Sequence, residues 1–262
     1  MLVVKVNSSL ERFLPDRPNI YKSMAKDDEG RSYVVFLKFL LAEEDLLKEV
    51  VSGALGRKLH VSVLSPLLVQ VPQHFVPEEF NPTKARVVCG FGTIFSQLPL
   101  VGRPLRPDRK PNPFFESMLR HEKTKTVAAF DELIDNNDRN HGNILYSGSD
   151  DPIFIDHGKS FSCIEKPTSP TSENWLFLYM RQWNEADRIE TVDFLKGQFF
   201  RSVATLPLEF RLVEKALADN KVEASPEALI AFLEKRRPSL HNLIDSQLEI
   251  HQMELEDNGT TL

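Results

Sequence analysis

Cysteine is nearly absent. Cys89 and Cys163 are the two thiols in 262 residues, too few for a disulfide framework or a cysteine-rich zinc site. Such usage fits a reducing compartment. Long apolar runs are missing as well. The start, Met1-Leu2-Val3-Val4-Lys5-Val6, is apolar for four residues before Lys5 interrupts it, which is shorter than the core of a secretory signal. No stretch approaches the roughly 20 apolar residues that span a bilayer. Positive charge is not in excess: 32 Lys plus Arg stand against 38 Asp plus Glu, a net charge of −6. Such a field mildly repels a nucleic-acid backbone, so no nucleic-acid partner is expected, although a local basic groove is compatible with it. There is no internal repeat and no low-complexity tract. The apolar share, 41%, is that of a folded chain. The expectation is a soluble, cytoplasmic protein of one large domain or two modest lobes.

The first third reads as strands around one helix. Asn19–Lys22 and Ser32–Phe39 are β-rich runs with a turn at Asp27-Asp28-Glu29-Gly30 between them. Glu43-Glu44-Asp45 places acids where a helix N-terminus favours them. Leu46, Leu47, Val50, Val51 and Ala54 follow at helical spacing, with Gly56 as a stop. Two further apolar runs, Val61–Val71 and Arg86–Cys89, are joined by a proline-containing loop. The stretch Gly102–Pro113 carries Arg103, Arg106, Arg109 and Lys110; it reads as a solvated connector, with a phosphate or substrate contact as the alternative. From Phe114 the pattern turns helical: Phe114–Ile134, then Trp175–Trp183, Val192–Val203, Glu209–Leu217 and Ser225–Lys235. The polar end from about Glu254 is expected to fray.

The densest polar cluster is Asp135-Asn136-Asn137-Asp138-Arg139-Asn140-His141-Gly142-Asn143. It precedes Ile144-Leu145, a turn at Ser147–Asp150, and the strand Ile153-Phe154-Ile155, which runs into Asp156-His157-Gly158. A hairpin therefore brings Asp138 and Asn143 near Asp156. A carboxylate beside an acceptor hydroxyl can orient it or take its proton. An amide oxygen and a second carboxylate suit magnesium, which takes few protein oxygens alongside substrate phosphates. Asp138, Asn143 and Asp156 thus match a magnesium–nucleotide site for phosphoryl transfer. His141 and His157 lack the further ligands that zinc requires and read as structural. Cys163 has no partner base and reads as a core or surface thiol. The Ser/Thr-rich stretch Ser160–Ser172 offers hydroxyls for autophosphorylation, although such loops are common.

Asp138-Arg139-Asn140-His141-Gly142-Asn143 followed by Ile153-Phe154-Ile155-Asp156-His157-Gly158 resembles the catalytic loop and metal-binding segment of HipA-like kinases. It is similar, more distantly, to phosphatidylinositol 3- and 4-kinases and to the wider protein-kinase-like fold. The resemblance implies an α+β fold of two lobes, a β-rich N-terminal lobe over residues 1–92 and a mainly helical catalytic lobe over 93–262. It implies Asp138 as the catalytic residue, Asn143 and Asp156 as magnesium ligands, and ATP with Mg2+ as cofactors. Kinases of this fold also pair a strand lysine with a helix glutamate. Lys38, at the end of Val34–Phe39, and Glu49 fill those positions in the right order, Lys38 as a further catalytic and phosphate contact. By the same resemblance the strand Arg86–Cys89 leads into a hinge, and adenine meets the backbone around Cys89, Gly90 and Phe91. Gly90 and Gly92 then suit a backbone passing close to a ligand.

One part of the pattern is missing. No glycine-rich phosphate loop precedes Lys38; the region Glu11–Pro18 stands there instead, with Arg17 or a few backbone contacts as the substitute phosphate contact. The expected activity is a compact HipA-like serine/threonine protein kinase. A lipid or small-molecule kinase is the alternative, and so is a pseudokinase that binds nucleotide or a partner without transfer. Nothing in the chain suggests a membrane partner.

Overall fold

The computed structural model describes residues 1–14, 17–40, 42–81, 84–96, 113–147, 151–197, 199–208 and 210–250. The basic stretch Arg103–Lys110, most of the turn at Ser147–Asp150 and the polar C-terminal end lie outside them. Strands β1 (Leu2–Val6), β2 (Glu11–Leu14), β3 (Arg17–Lys26) and β4 (Ser32–Lys38) come first. Helix α1 (Glu43–Lys58) leads to β5 (Pro66–Pro72) and β6 (Val87–Ile94). The remainder is mostly helical: α2 (Pro113–Arg120), α3 (Glu122–Leu133), α4 (Trp175–Met180), α5 (Glu185–Gly197), α6 (Phe199–Thr205), α7 (Arg211–Asp219), α8 (Glu227–Arg236) and α9 (Leu240–Gln247). Between α3 and α4 lies a short antiparallel pair, β7 (Ile144–Leu145) and β8 (Ile153–Phe154).

The six-stranded sheet runs β1-β5-β6-β4-β3-β2, and β1 also pairs with β3. Five strands therefore close into a barrel, with β2 laid on β3. The β1–β3 pairing at Lys5 and Val6 closes the barrel and covers part of the edge that would otherwise invite pairing with other chains. Val4, Val6, Tyr21, Ala25, Val35, Leu37, Leu67, Val69 and Val71 fill the interior and are buried. Side chains alternate across a strand, so Val35 and Leu37 face inward while Phe36 and Lys38 face out.

This inward face explains Gly90 and Gly92. A Cβ on Gly90 would stand 2.6 Å from Leu37 Cδ1, and one on Gly92 would meet Val69 Cγ2 and stand 2.9 Å from Phe36 O. Both glycines sit where the barrel wall leaves no space for a Cβ. The strand also continues past Cys89 to Ile94, and Phe95 N–H donates to Val34 O at 2.9 Å. The chain leaves the sheet after Phe95, not at Cys89.

The second and larger apolar cluster joins α1 to the helices. It includes Leu46, Val50, Leu55, Phe130, Phe154, Phe177, Phe232 and Ile244. Helix α1 runs on through Gly56 to Lys58. Gly56 is there because Val63 Cγ2 would lie 2.7 Å from a Cβ. The helix expected over Phe114–Ile134 is broken at His121, whose ring accepts from Lys123 N–H at 3.1 Å and caps α3. The run Val192–Val203 is likewise divided between α5 and α6. No helix among the described residues is long and apolar enough to cross a membrane.

Candidate active site

Lys38 is the last residue of β4, on the outer face of the barrel. Its Nζ donates to Glu49 Oε1 at 3.0 Å and to Asp156 Oδ1 at 2.7 Å. Three segments thus meet at one ammonium: a strand end, the second turn of α1 and the second residue beyond β8. Glu49 is fully buried, and its other oxygen accepts from His157 N–H at 2.8 Å. Gly158 completes the floor, because a Cβ there would come within 3.3 Å of Glu49 Oε1 and 3.6 Å of Lys38 Nζ. Asp156 has a φ of 62°, a left-handed conformation unfavourable for residues other than glycine. That turn carries the carboxylate onto Lys38.

The electrostatics follow from two acids sharing one ammonium. Burial pushes the Glu49 carboxyl up to about 7 against the pull of Lys38. Burial also opposes the charge on Asp156, but Lys38 outweighs it and holds this carboxyl down to about 2. Burial works against the Lys38 charge too, and Glu49 and Asp156 overcome it, so the ammonium titrates above its ordinary value. Asp156 keeps a quarter of its side chain exposed, whereas Glu49 has none, which is why Glu49 takes the proton first.

The loop Asp135–Asn143 is held from below by Arg139. This guanidinium is buried and grips Asp131 bidentately, at 2.8 Å through Nε and 2.8 Å through Nη2. Its Nη1 donates to Ile155 O at 2.7 Å and to Asn143 O at 3.3 Å. The pairing of Ile144 with Phe154 and the bond from Ile155 N–H to Asn143 O at 3.0 Å place Asn143 beside the chain that enters Asp156. Asn143 Nδ2 donates to Asp138 O at 2.9 Å, and Asp138 itself is exposed. The structure therefore brings Lys38, Glu49 and Asp156 into contact, with Asn143 and Asp138 on the adjoining loop.

Cys89, Gly90 and Phe91 are placed differently. They lie within β6, paired to Gln70, Val69 and Leu68, and Phe91 is paired to Lys38 as well. Their backbone is laid into the sheet, upstream of its exit. Cys89 Sγ sits 3.8 Å from Asn220 O, and burial pushes its thiol up to about 11. Of the Glu11–Pro18 region, Pro15 and Asp16 lie outside the described residues.

Several contributors were not assigned from sequence. Asp131 and Arg139 hold the loop, Asn136 Nδ2 donates to Asp131 Oδ1 at 2.8 Å, and Ser52 and Ser160 hydroxyls meet at 2.8 Å beneath the site. Arg139 had a signal, standing inside the polar cluster; Asp131 had none, since it closes an apolar helix. His141 and His157 are buried against rings, His141 near Phe115 and His157 near Phe130. Burial lowers the pKa of each, in keeping with structural roles. Among the described residues no group of three or more His, Cys, Asp or Glu could hold a metal ion. The oxygen donors at Asn143 and Asp156 fit the hard, lightly ligated magnesium of a nucleotide site and not zinc.

A strand lysine fixed between a helix acid and a hairpin-end acid, below a loop rich in Asp and Asn, is the arrangement of a kinase. The comparisons agree. A model of the HipA-like kinase family matches residues 22–187, more than half of the chain, and the chain belongs to that family. The crystal structure of a Helicobacter pylori proinflammatory kinase, CtkA, matches with a TM-score of 0.53 at 12% identity, over 95% of this chain and 98% of that one. At that identity the likeness is one of fold. No curated protein matches the chain.

Proposed function

We propose that this chain is an ATP- and magnesium-dependent phosphotransferase that passes a γ-phosphoryl group to a protein serine or threonine hydroxyl. The observation that carries the reading is Lys38 held at 3.0 Å from Glu49 and 2.7 Å from Asp156. Residues 1–92, which hold α1 and the barrel except the end of β6, would form the nucleotide lobe, and residues 93–262 the helical catalytic lobe. Bound Mg–ATP supplies the phosphoryl group and the counter-charge for its transfer. Lys38 would contact the phosphates, and Glu49 would keep its ammonium in place. Asn143 and Asp156 would hold the metal through their side-chain oxygens. Asp138, exposed at the loop tip, orients the acceptor hydroxyl and accepts its proton. By the family resemblance, adenine would contact the backbone of β6 around Cys89, Gly90 and Phe91. A lipid or small-molecule hydroxyl is the alternative acceptor.

The direct Lys38–Asp156 bond favours one second reading. Two groups assigned to phosphate and metal here neutralise each other, as they would in a protein that binds nucleotide without transferring phosphate. Incubation with labelled ATP and magnesium separates the two. The kinase reading expects autophosphorylation or ATP turnover, reduced at least about 100-fold by Asp138→Ala. It also expects Asp156→Ala to abolish magnesium-dependent nucleotide binding in calorimetry. Nucleotide binding without turnover supports the second reading, and no nucleotide binding at all defeats both.

A further inference from the structure

Helix α1 meets the turn after Asp156 at two points. Glu49 accepts from His157 N–H at 2.8 Å. Ser52, one helical turn further along α1 and so on the same face, has its hydroxyl 2.8 Å from that of Ser160. Ser160 Oγ in turn donates to His157 O at 2.6 Å. A hydroxyl carries one proton. That of Ser160 is used on His157 O, so Ser52 is the donor between the two serines. The bonds close a ring that leaves α1 at Glu49, passes along His157 to Ser160 and returns at Ser52. All four residues are buried.

An apolar pair would serve stability as well. A buried hydroxyl costs free energy unless it is bonded, and replacing both partners of such a pair by apolar groups is nearly neutral. Alanine is also the better helix former at position 52. Without either hydroxyl His157 O still accepts from Ser160 N–H, at 2.9 Å. What the ring does is hold both polar backbone groups of one residue. Asp156, the residue before it, has a φ of 62°, a conformation that persists only where the surroundings fix it. On the other side Ile155 is fixed by its N–H to Asn143 O and by Arg139 at its carbonyl. The Asp156 turn is therefore anchored to the loop through Ile155 and to α1 through His157.

We propose that Ser52 and Ser160 are positioning residues for Asp156: they tie the His157 end of its turn to α1 and so aim the carboxylate that would meet the metal. The inference rests on the phosphotransferase reading of the site. Helix α1 is held by its own apolar packing, including Val50, Val51 and Leu55, so loss of the ring frees the turn and not the helix. The Lys38–Glu49 pair stays. The Asp156 carboxylate loses its fixed direction, and an error of about 1 Å in a reacting geometry can cost about 100-fold.

The test compares Ser52→Ala, Ser160→Ala and the double variant with the wild type in two measurements. The first is amide hydrogen exchange without nucleotide or metal. Exchange at His157 is expected to quicken at least about tenfold, while Val35 and Leu37 in the barrel keep the wild-type rate. The second is calorimetric titration with a non-hydrolysable ATP analogue, in magnesium and in EDTA. Magnesium-dependent affinity is expected to fall at least about tenfold, with affinity in EDTA unchanged, because Lys38 and Glu49 remain paired. The double variant should match the single ones, since each cuts the same link to α1. Unchanged exchange at His157 overturns the proposal, and so does magnesium-dependent binding at the wild-type level. A uniform rise in exchange with a lower melting temperature would make the serines merely structural and overturns it too. If the wild type binds no nucleotide, the phosphotransferase reading fails, and the exchange result alone decides whether the ring holds the turn.

Discussion

Replacing Lys38 with Met keeps the length of the side chain and removes the ammonium between Glu49 and Asp156. Breaking a buried ion pair from one side costs about 3–5 kcal/mol. The lower end applies here, since Lys38 and Asp156 keep 20% and 25% of their side chains exposed. At about 3 kcal/mol the melting temperature of a chain this size falls by about 6–12 °C. The pH dependence is the sharper part. In the wild type the folded Glu49 titrates at about 7, above its ordinary range. Between pH 4.5 and 7 the folded state therefore holds a proton that the unfolded state has released, and stability falls as pH rises through that window. Asp156 has the opposite sign: its contribution is present above pH 4 and lost as pH falls toward 2. At pH 5.5 Glu49 is protonated with or without Lys38, so Lys38→Met loses only the Asp156 pair. At pH 8.5 the wild type ionises Glu49 against Lys38, whereas the variant must bury that charge alone or hold the proton. Thermal unfolding of both proteins should show a larger deficit at pH 8.5 than at pH 5.5. An equal or smaller deficit at pH 8.5 refutes the account. A companion variant, Glu49→Gln, should match wild-type stability at pH 5.5.

Asp131→Ala leaves the buried Arg139 without its carboxylate and should cost about 3–5 kcal/mol in denaturant unfolding, with faster hydrogen exchange along Asp135–Asn143. Arg236, fully buried, donates to Glu132 Oε1 at 2.9 Å and to the carbonyls of Pro167 and Ser169. Arg236→Met should therefore expose the segment after Asp156 to limited proteolysis while the barrel stays protected. Gly92→Ala forces a methyl against Val69 and should destabilise by about 1–3 kcal/mol; wild-type stability would remove the barrel-wall explanation. Cys89, with its thiol pushed up to about 11, should react with iodoacetamide at pH 8 far more slowly than a free cysteine.

What the sequence made legible was local. The loop Asp138–Asn143 and the segment ending in Asp156 lie within one hairpin, so their chemistry is visible as spacing. Lys38 stood out as the lysine closing an apolar strand. The barrel was not legible, because β1 pairs in parallel with β5 across some sixty residues, Leu2 with Leu67, and such pairing leaves no local pattern. The glycines of β6 are ambiguous in sequence for a related reason. A missing Cβ records only that something is close, and the close neighbours here are Leu37 and Val69 of the wall.

Glu49 shows where the boundary falls. On the helix pattern it sits off the apolar stripe of α1, a position that fits either solvent or an inter-lobe cleft. In the fold it is fully buried, held by Lys38 from β4 and by the His157 amide 108 residues away. An acid off the apolar face has two physical outcomes, water or a distant partner set, and helical periodicity distinguishes apolar from polar without choosing between them. The choice depends on whether another part of the chain presents donors at the same place. Lys38 and the Asp156–Gly158 turn do so, and the Glu49 side chain is left with no exposed surface. The pH-dependent deficit predicted for Lys38→Met therefore tests more than one ion pair. A solvated Glu49 would give no difference between pH 5.5 and pH 8.5, and a buried one must.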